Sequence, residues 1–387
     1  MNQPNYTMLM AHLADVPDPR SRRGRRHEWV FLLTILCGAL LCGHTSVRGI
    51  AQWAFHHAHE ILEALQPKRR SVPSASTFYR VLRQIDVNEL ELHLSAFTNA
   101  LDADDRVTGV VYGRDQTPLR GQSIDGKEVR GASKQGESLM LVSLVRHESA
   151  AVLAQRTVDC KTNEITVAPE LLAGRDLTGT VTTMDALLTQ RQIAEQILAQ
   201  NGDYLMVVKR NQPSLHEAIE LLFSSPPLPA SDDEYLRHSY TNDGHGRIET
   251  RTLESSTALN HYLHWPQVGQ VVRRTRRSIS TKTGEISEHV TYAVTSLDRR
   301  RALPKQIEAI WRAHWTIENS LHYVRDESMG EDRSTLRSDN APHAMATLRN
   351  AVLTLLRYEG WTNVQDAFRY FAASVQYPLK TIGALET

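Results

Sequence analysis

Between residues 118 and 223 the apolar residues keep changing their period, and few folds can absorb that. GTVTTMDALL and DYLMVVKRNQ are short β-branched or continuously apolar runs, which read as buried strands. QRQIAEQILAQNG and PSLHEAIELLF repeat their apolar residues at helical spacing. Asn201-Gly202 terminates the first and Pro213 opens the second. Upstream, GQSIDGKEV reads as a short strand ending in a Gly turn, and LMLVSLVRHESAAVLAQRTV as two strands joined at His147 to Ser149. ITVAPELLAG reads as a short helix closed by Gly174. Alternation of this kind requires helices laid on a sheet, and a hairpin beside it makes the sheet mixed.

The flanks differ. Residues 1–100 read as helical. Glu28 to Leu41 is one helix, Gly43 to Thr45 breaks it, and Ser46 to Leu65 is a second. SVPSASTFYRVLRQID opens at a turn and N-cap, with Phe78, Val81 and Leu82 on an apolar face. That leaves Tyr79, Arg80 and Arg83 exposed, as in a helix-turn-helix DNA reader or simply a helical bundle. Residues of about 225–297 interrupt the core as a β-rich insertion, in which His245, Arg247, Glu249 and Arg251 alternate onto one strand face. A helix begins at Pro304, a last one runs from Ala341 to Tyr358, and 359–387 is a tail. The fold class is therefore α+β: a helical region over 1–100, then a mixed-sheet core over 118–358 split by the insertion.

The 387 residues carry 44 basic and 44 acidic side chains, so net charge is zero. That argues against a simple nucleic-acid-coating protein but leaves room for local basic surfaces. RSRRGRRH (20–27), PKRR (67–70), RRTRR (273–277) and DRRR (298–301) are such runs. Three cysteines, Cys37, Cys42 and Cys160, form no metal-type spacing, which fits a reducing compartment. His56 and His59 could share a helix face as metal ligands, but the His-rich FHHAHE reads better as a polar face. The apolar run WVFLLTILCGALLCG is too short to span a membrane, and no secretory signal opens the chain. The expected location is cytoplasmic.

HWTIENSLHYVRDES (314–328) raises a sharper question. Ile317, Leu321 and Val324 form an apolar helical face, while Trp311, His314, Glu318, His322 and Arg325 form a second row beside it. A carboxylate set among an aromatic, two imidazoles and a guanidinium is either a solvated edge or a site. Two further acids stop strands of the core: Asp125 and Asp185. Strand ends and a covering helix converge at one edge of such a sheet. Carboxylates gathered there suit hard divalent cations, two of which can clamp the attacking and leaving oxygens of a phosphodiester. The chain offers neither a Ser-His-Asp signature nor a phosphate-cradling Gly loop.

IDGKEVRG, TMDALLTQ, DYLMVVKRNQ, HGRIETR and HWTIENSLHYVRDESMGED together resemble the transposases of ISAs-type insertion sequences, the H-repeat-associated family. These are DDE transposases with an RNase H-like fold, and the resemblance covers nearly the whole chain, including the helical N-terminal region. It implies that Asp125, Asp185 and Glu318 are the catalytic, metal-binding triad. It further implies Mg²⁺ or Mn²⁺, two ions per site, as cofactor. The broader group carries a Tyr-x2-Arg-x3-Glu-x6-Lys signature, and the matching positions here are Trp311, His314, Glu318 and Arg325. Aromatic and basic character persists while only the Glu is retained.

On that basis Trp311, His314 and Arg325 are expected to face DNA, and His322 to be structural. Lys209 and Arg210, ending a core strand, and Arg247, Arg251, Arg80 and Arg83 are further DNA-binding candidates, with Lys127 a weaker one. Glu331 and Asp332 are the alternatives to Glu318. The expected partners are duplex DNA, as element ends and target, and a second copy of the chain in the DNA complex, within a bacterial nucleoid and without a membrane. The expected activity is metal-dependent cleavage of element ends and strand transfer. A nuclease that never joins strands and a catalytically idle DNA-binding regulator are the competing readings.

Overall fold

The computed structural model describes residues 8–103, 109–134, 137–158, 163–226, 234–244 and 246–385. His245 and Cys160 lie outside them. Six helices come first: α1 (Met8–Ala14), α2 (Trp29–Leu41), α3 (Val47–His56), α4 (Ala58–Leu65), α5 (Ala75–Gln84) and α6 (Val87–Asp102). In α2 every residue except Val30 is buried. The apolar run is a core helix, and among the described residues no helix is long and apolar enough to cross a membrane. The helix expected over 46–65 is two, α3 and α4, joined at His57. Ser46 starts α3 by accepting from the Gly49 N–H at 3.0 Å.

The sheet follows: β1 (Val111–Tyr112), β2 (Pro118–Lys134), β3 (Glu137–Arg146), β4 (Val152–Val158), α7 (Glu164–Leu172), β5 (Thr180–Met184), α8 (Arg191–Ala199), β6 (Asp203–Val208) and α9 (Pro213–Ser224). Then come β7 (Tyr235–Gly244), β8 (Arg247–Ser256), β9 (Gln270–Ser280), β10 (Ile286–Thr295) and α10 (Pro304–Ala313). The strand order is β4-β3-β2-β5-β6-β10-β9-β8-β7, with β1 attached to β2. β2, β3 and β4 are antiparallel neighbours, while β5 runs parallel to both β2 and β6. This is the mixed sheet that the alternating periods predict. The insertion joins it directly, because β10 pairs with β6 from Tyr292↔Val208 to Thr295↔Leu205.

One face of the sheet, including Ile124, Val142, Met184, Met206 and Val294, packs under α7, α8 and α9. The other, including Val181, Leu205, Val272 and Ala293, packs under Ile307, Ile310 and Trp311 of α10. After α10 the chain is wound as π-helix over Ile317–His322 and Val324–Ser328. α11 (Ala341–Tyr358), α12 (Val364–Ala372) and α13 (Gln376–Thr381) complete the order. These three share one apolar core with α1, α2, α3, α5 and α6.

GQSIDGKEV differs from expectation. β2 does not stop at a glycine turn; it runs on, and Gly126 sits in the ladder opposite Val142. A Cβ on Gly126 would lie 2.1 Å from Glu164 Oε1, so glycine is there to admit a side chain rather than to turn the backbone. Asp125 is consequently mid-strand.

Candidate active site

Because β2 and β5 are parallel and in register as far as Ile124↔Met184, the next residues along them are Asp125 and Asp185. β5 ends there, which opens the sheet edge beside Asp125. Asp185 turns into a loop in which its Oδ1 accepts from the Leu188 N–H at 3.1 Å. Ser123, Asp125 and Lys127 face the same side of the sheet. On that side the Ser123 hydroxyl reaches the His314 carbonyl, and Lys127 Nζ pairs with Asp326 Oδ2 at 2.6 Å. Glu318 arrives on the first π segment.

The tightest group is Asp125, Glu318 and His322, each offering a ligand atom within 4.8 Å of the others. His322 Nδ1 is 3.3 Å from Glu318 Oε2 and 3.8 Å from Asp125 Oδ2. Asp185 is the adjacent acid; its charge and that of Glu318 both act on Asp125. Burial, then the charges of Glu164, Asp185 and Glu318, push the Asp125 carboxyl up to about 7. Burial and Asp185 likewise raise Glu164. Glu318 is more exposed, and the hydrogen bond from His322 holds it below the usual range. Burial lowers His322, so its neutral ring donates from Nδ1 to Glu318. That leaves the buried Nε2 without a partner.

These features fit a divalent cation. Excess negative charge is concentrated at Asp125, and the imidazole of His322 turns its Nδ1 toward both Asp125 and Glu318. Carboxylate and imidazole together are ligands that divalent metals accept.

Residues 115–355 match the family described as "Transposase DDE domain", and residues 10–98 match the family "DDE_Tnp_1-associated". The chain belongs to the DDE transposase family. "Putative transposase YncI" of Escherichia coli O157:H7 is 30% identical over 359 residues, covering 90% of this chain and 87% of its own. "H repeat-associated putative transposase YhhI" of Escherichia coli strain K12 is 27% identical over 355 residues, covering 90% of each. "Uncharacterized protein in dhlA 3'region" of Xanthobacter autotrophicus is 31% identical over 279 residues, 70% of this chain and 88% of its own. Membership makes the mixed sheet a DDE-type, RNase H-like core and implies DNA binding and a divalent metal.

Other residues of this transposase-family chain fall differently. Arg325 has no exposed surface. It pairs with Glu331 at 2.7 Å and also donates to Gln155 and Asn350, so it does not face DNA. A π turn holds more residues than an α turn. Seven residues past Glu318 the chain has therefore turned short of two full turns, and the side chain points inward. Trp311 is also buried, under the Arg274 guanidinium at 4.6 Å. Glu331 is sealed between Arg325 and Arg349, so it is no substitute for Glu318. His314 is half-buried, its Nδ1 2.8 Å from Thr183 Oγ1. Lys209 and Arg210 are exposed just past the end of β6. Arg247 and Arg251 both pair with Glu249, and Arg251 also donates to Tyr240 Oη. Arg80 and Arg83 project from α5 as expected, Arg83 pairing with Asp339 at 2.5 Å. In the run 20–27, Arg20 turns inward to Asp18 and Trp29, while Arg22, Arg23 and Arg26 are exposed.

Sequence reasoning missed two residues. His322 follows Glu318 by four positions, close enough to one turn to have signalled a shared ligand set. Glu164 carries a weaker signal: an acid directly after the Asn163 cap of α7, paired in space with the glycine that follows Asp125.

Proposed function

We propose that the protein is an insertion-sequence transposase that cuts element ends and joins them to target DNA at Asp125, Asp185 and Glu318. The observation that carries this reading is the convergence of Asp125 with Glu318 and His322, beside Asp185, in a chain of this family. Mg²⁺ or Mn²⁺, as two ions, would be held by the three carboxylates, with His322 as an added donor. When bound they would stabilise charge on the reacting phosphate and activate its nucleophile. In cleavage, water oxygen bonds to phosphorus and the P–O3′ bond breaks, leaving a 3′-hydroxyl and a 5′-phosphate. In joining, that 3′-hydroxyl bonds to a target phosphorus and a target 3′-oxygen leaves. The acids hold their geometry through both steps, and no side-chain nucleophile is needed. Lys209 and Arg210, at the same strand edge as Asp185, are placed to meet phosphate. Arg80, Arg83 and Arg247 are further candidates, and a dimer on two ends is the expected working form.

The test uses purified protein, a labelled end duplex, Mg²⁺ and supercoiled target. Asp125→Asn, Asp185→Asn and Glu318→Gln should each abolish cleavage and leave binding of the end duplex nearly unchanged. Cleavage by the triple variant would sink the assignment. Cleavage without joined product in the wild type would favour a nuclease, and binding without either product an idle regulator.

A further inference from the structure

Directly beneath the acids lies a buried polar cluster that the proposed chemistry does not use. Ser123 stands two residues before Asp125 on the same face of β2, and Thr183 is the last-but-one residue of β5, two before Asp185. Both reach the residue where α10 gives way to π winding. The Ser123 hydroxyl donates to the His314 carbonyl at 3.2 Å, and the Thr183 hydroxyl donates to the Gln122 carbonyl at 3.2 Å. With those protons committed, the oxygens accept from rings: Thr183 from His314 Nδ1–H at 2.8 Å, Ser123 from His147 Nε2–H at 2.7 Å. His147 Nε2 is also 3.1 Å from Thr183 Oγ1. This assignment gives every donor an acceptor. The ring of His147 fits only because residue 121 is glycine; a Cβ there would lie 2.0 Å from its Nδ1.

His314 is thus bolted to β2 through its main chain and to β5 through its side chain, and Glu318 follows four residues later. We infer that this hydroxyl–imidazole floor sets the separation of Glu318 from Asp125 and Asp185, with Thr183 and His314 as positioning residues. The inference rests on the reading of those acids as the metal-binding set. His314 then acts through Glu318, without touching DNA, at the position where the family signature carries arginine.

Calorimetric titration of the full chain with Mn²⁺ alone tests it, beside cleavage assays over a range of Mn²⁺. Thr183→Val keeps the shape of the side chain and removes the hydroxyl, while Thr183→Ser keeps the hydroxyl. Outer partners of metal ligands typically contribute about 10–100-fold in affinity. Thr183→Val and His314→Ala should weaken Mn²⁺ binding by roughly tenfold or more, and Thr183→Ser should bind nearly as the wild type. Cleavage by Thr183→Val should recover as Mn²⁺ is raised, which a merely structural defect would not do. Ser123→Ala removes the main-chain bolt and one acceptor of His147 but leaves the Thr183–His314 contact, so it should weaken Mn²⁺ binding less, which keeps the idea testable if Thr183→Val melts. Wild-type Mn²⁺ affinity in Thr183→Val and Ser123→Ala, with binding lost in Asp125→Asn and Glu318→Gln, overturns the inference alone. Wild-type affinity in the two acid variants overturns the underlying reading and the inference with it.

Discussion

Around Arg325 and around Asp125 the protein gathers charge within a few residues of the same π-wound segment, and it treats the two gatherings in opposite ways. Arg325, Glu331 and Arg349 have almost no exposed surface, and their ion pairs are 2.7 and 3.0 Å long. Burial alone would raise the Glu331 carboxyl, but the two guanidiniums outweigh it and hold it low. The Arg349 guanidinium also donates to the Thr45 carbonyl, tying the sealed group to the first helices. At the open edge the acids face one another, with His322 and Lys127 beside Glu318. Burial and repulsion push Asp125 up to about 7. A charge the fold needs is compensated from within. A charge left uncompensated at an opening is kept for what enters from outside.

That contrast breaks first at Glu331. Glu331→Ala leaves two buried arginines facing each other, and removing one partner of a buried pair costs about 3–5 kcal/mol. Chemical denaturation should show a loss of that order; a loss under ~1 kcal/mol would mean the sealed group is not compensated as described.

Asp125→Asn should act in the other direction and more weakly. In the unfolded chain the carboxyl ionises near 3.8, whereas in the fold it keeps its proton until about 7. Between those values the folded state holds more protons, so its stability falls as pH rises through the window. In metal-free protein Asp125→Asn should remove that fall, melting near the wild type at pH 4 and above it at pH 8. Mg²⁺ at pH 8 should raise the wild-type melting temperature and leave the variant unmoved. A melting-temperature gap between the variant and the wild type that does not widen from pH 4 to pH 8 without metal would contradict the repulsion.

The smallest effect is expected at exposed base. Lys209→Ala with Arg210→Ala should leave stability unchanged while lowering the salt slope of DNA binding by up to about 2, roughly 0.9 for each phosphate that is no longer neutralised. An unchanged slope would remove both from the DNA path.

The legible parts of this molecule are those in which residue type and backbone period agree. β5 and β6 are five and six residues long, nearly all buried, and their apolar runs stop where the strands stop. The position of Asp185 at a strand end could therefore be read from sequence, whereas Asp125, expected to end its strand, lies mid-strand because β2 continues through Gly126. That glycine is explained by Glu164, 38 positions away, which no local pattern reveals. The segment after α10 was half legible. Ile317, Leu321 and Val324 are buried as their spacing predicts, because an inward face survives a modest change of winding. The companion row was not legible, since π winding accumulates rotation along the chain and swings Arg325 from the surface into the core. His322, expected to be structural, comes instead against Glu318 and Asp125.

The first helices are closed over by the last ones. The Met10 N–H donates to the Ile382 carbonyl at 3.2 Å, and Cys42 Sγ lies 3.4 Å from the Phe371 carbonyl. During synthesis α1 and α2 can pack early with α3 and α6, but the residues at Phe371 and Ile382 that complete their cover come more than 300 positions later. A nascent chain must hold these helices in reserve while the whole sheet is made, and it stays open to chaperones and to aggregation meanwhile. Any function needing the finished N-terminal core then waits until α12 and α13 have been made.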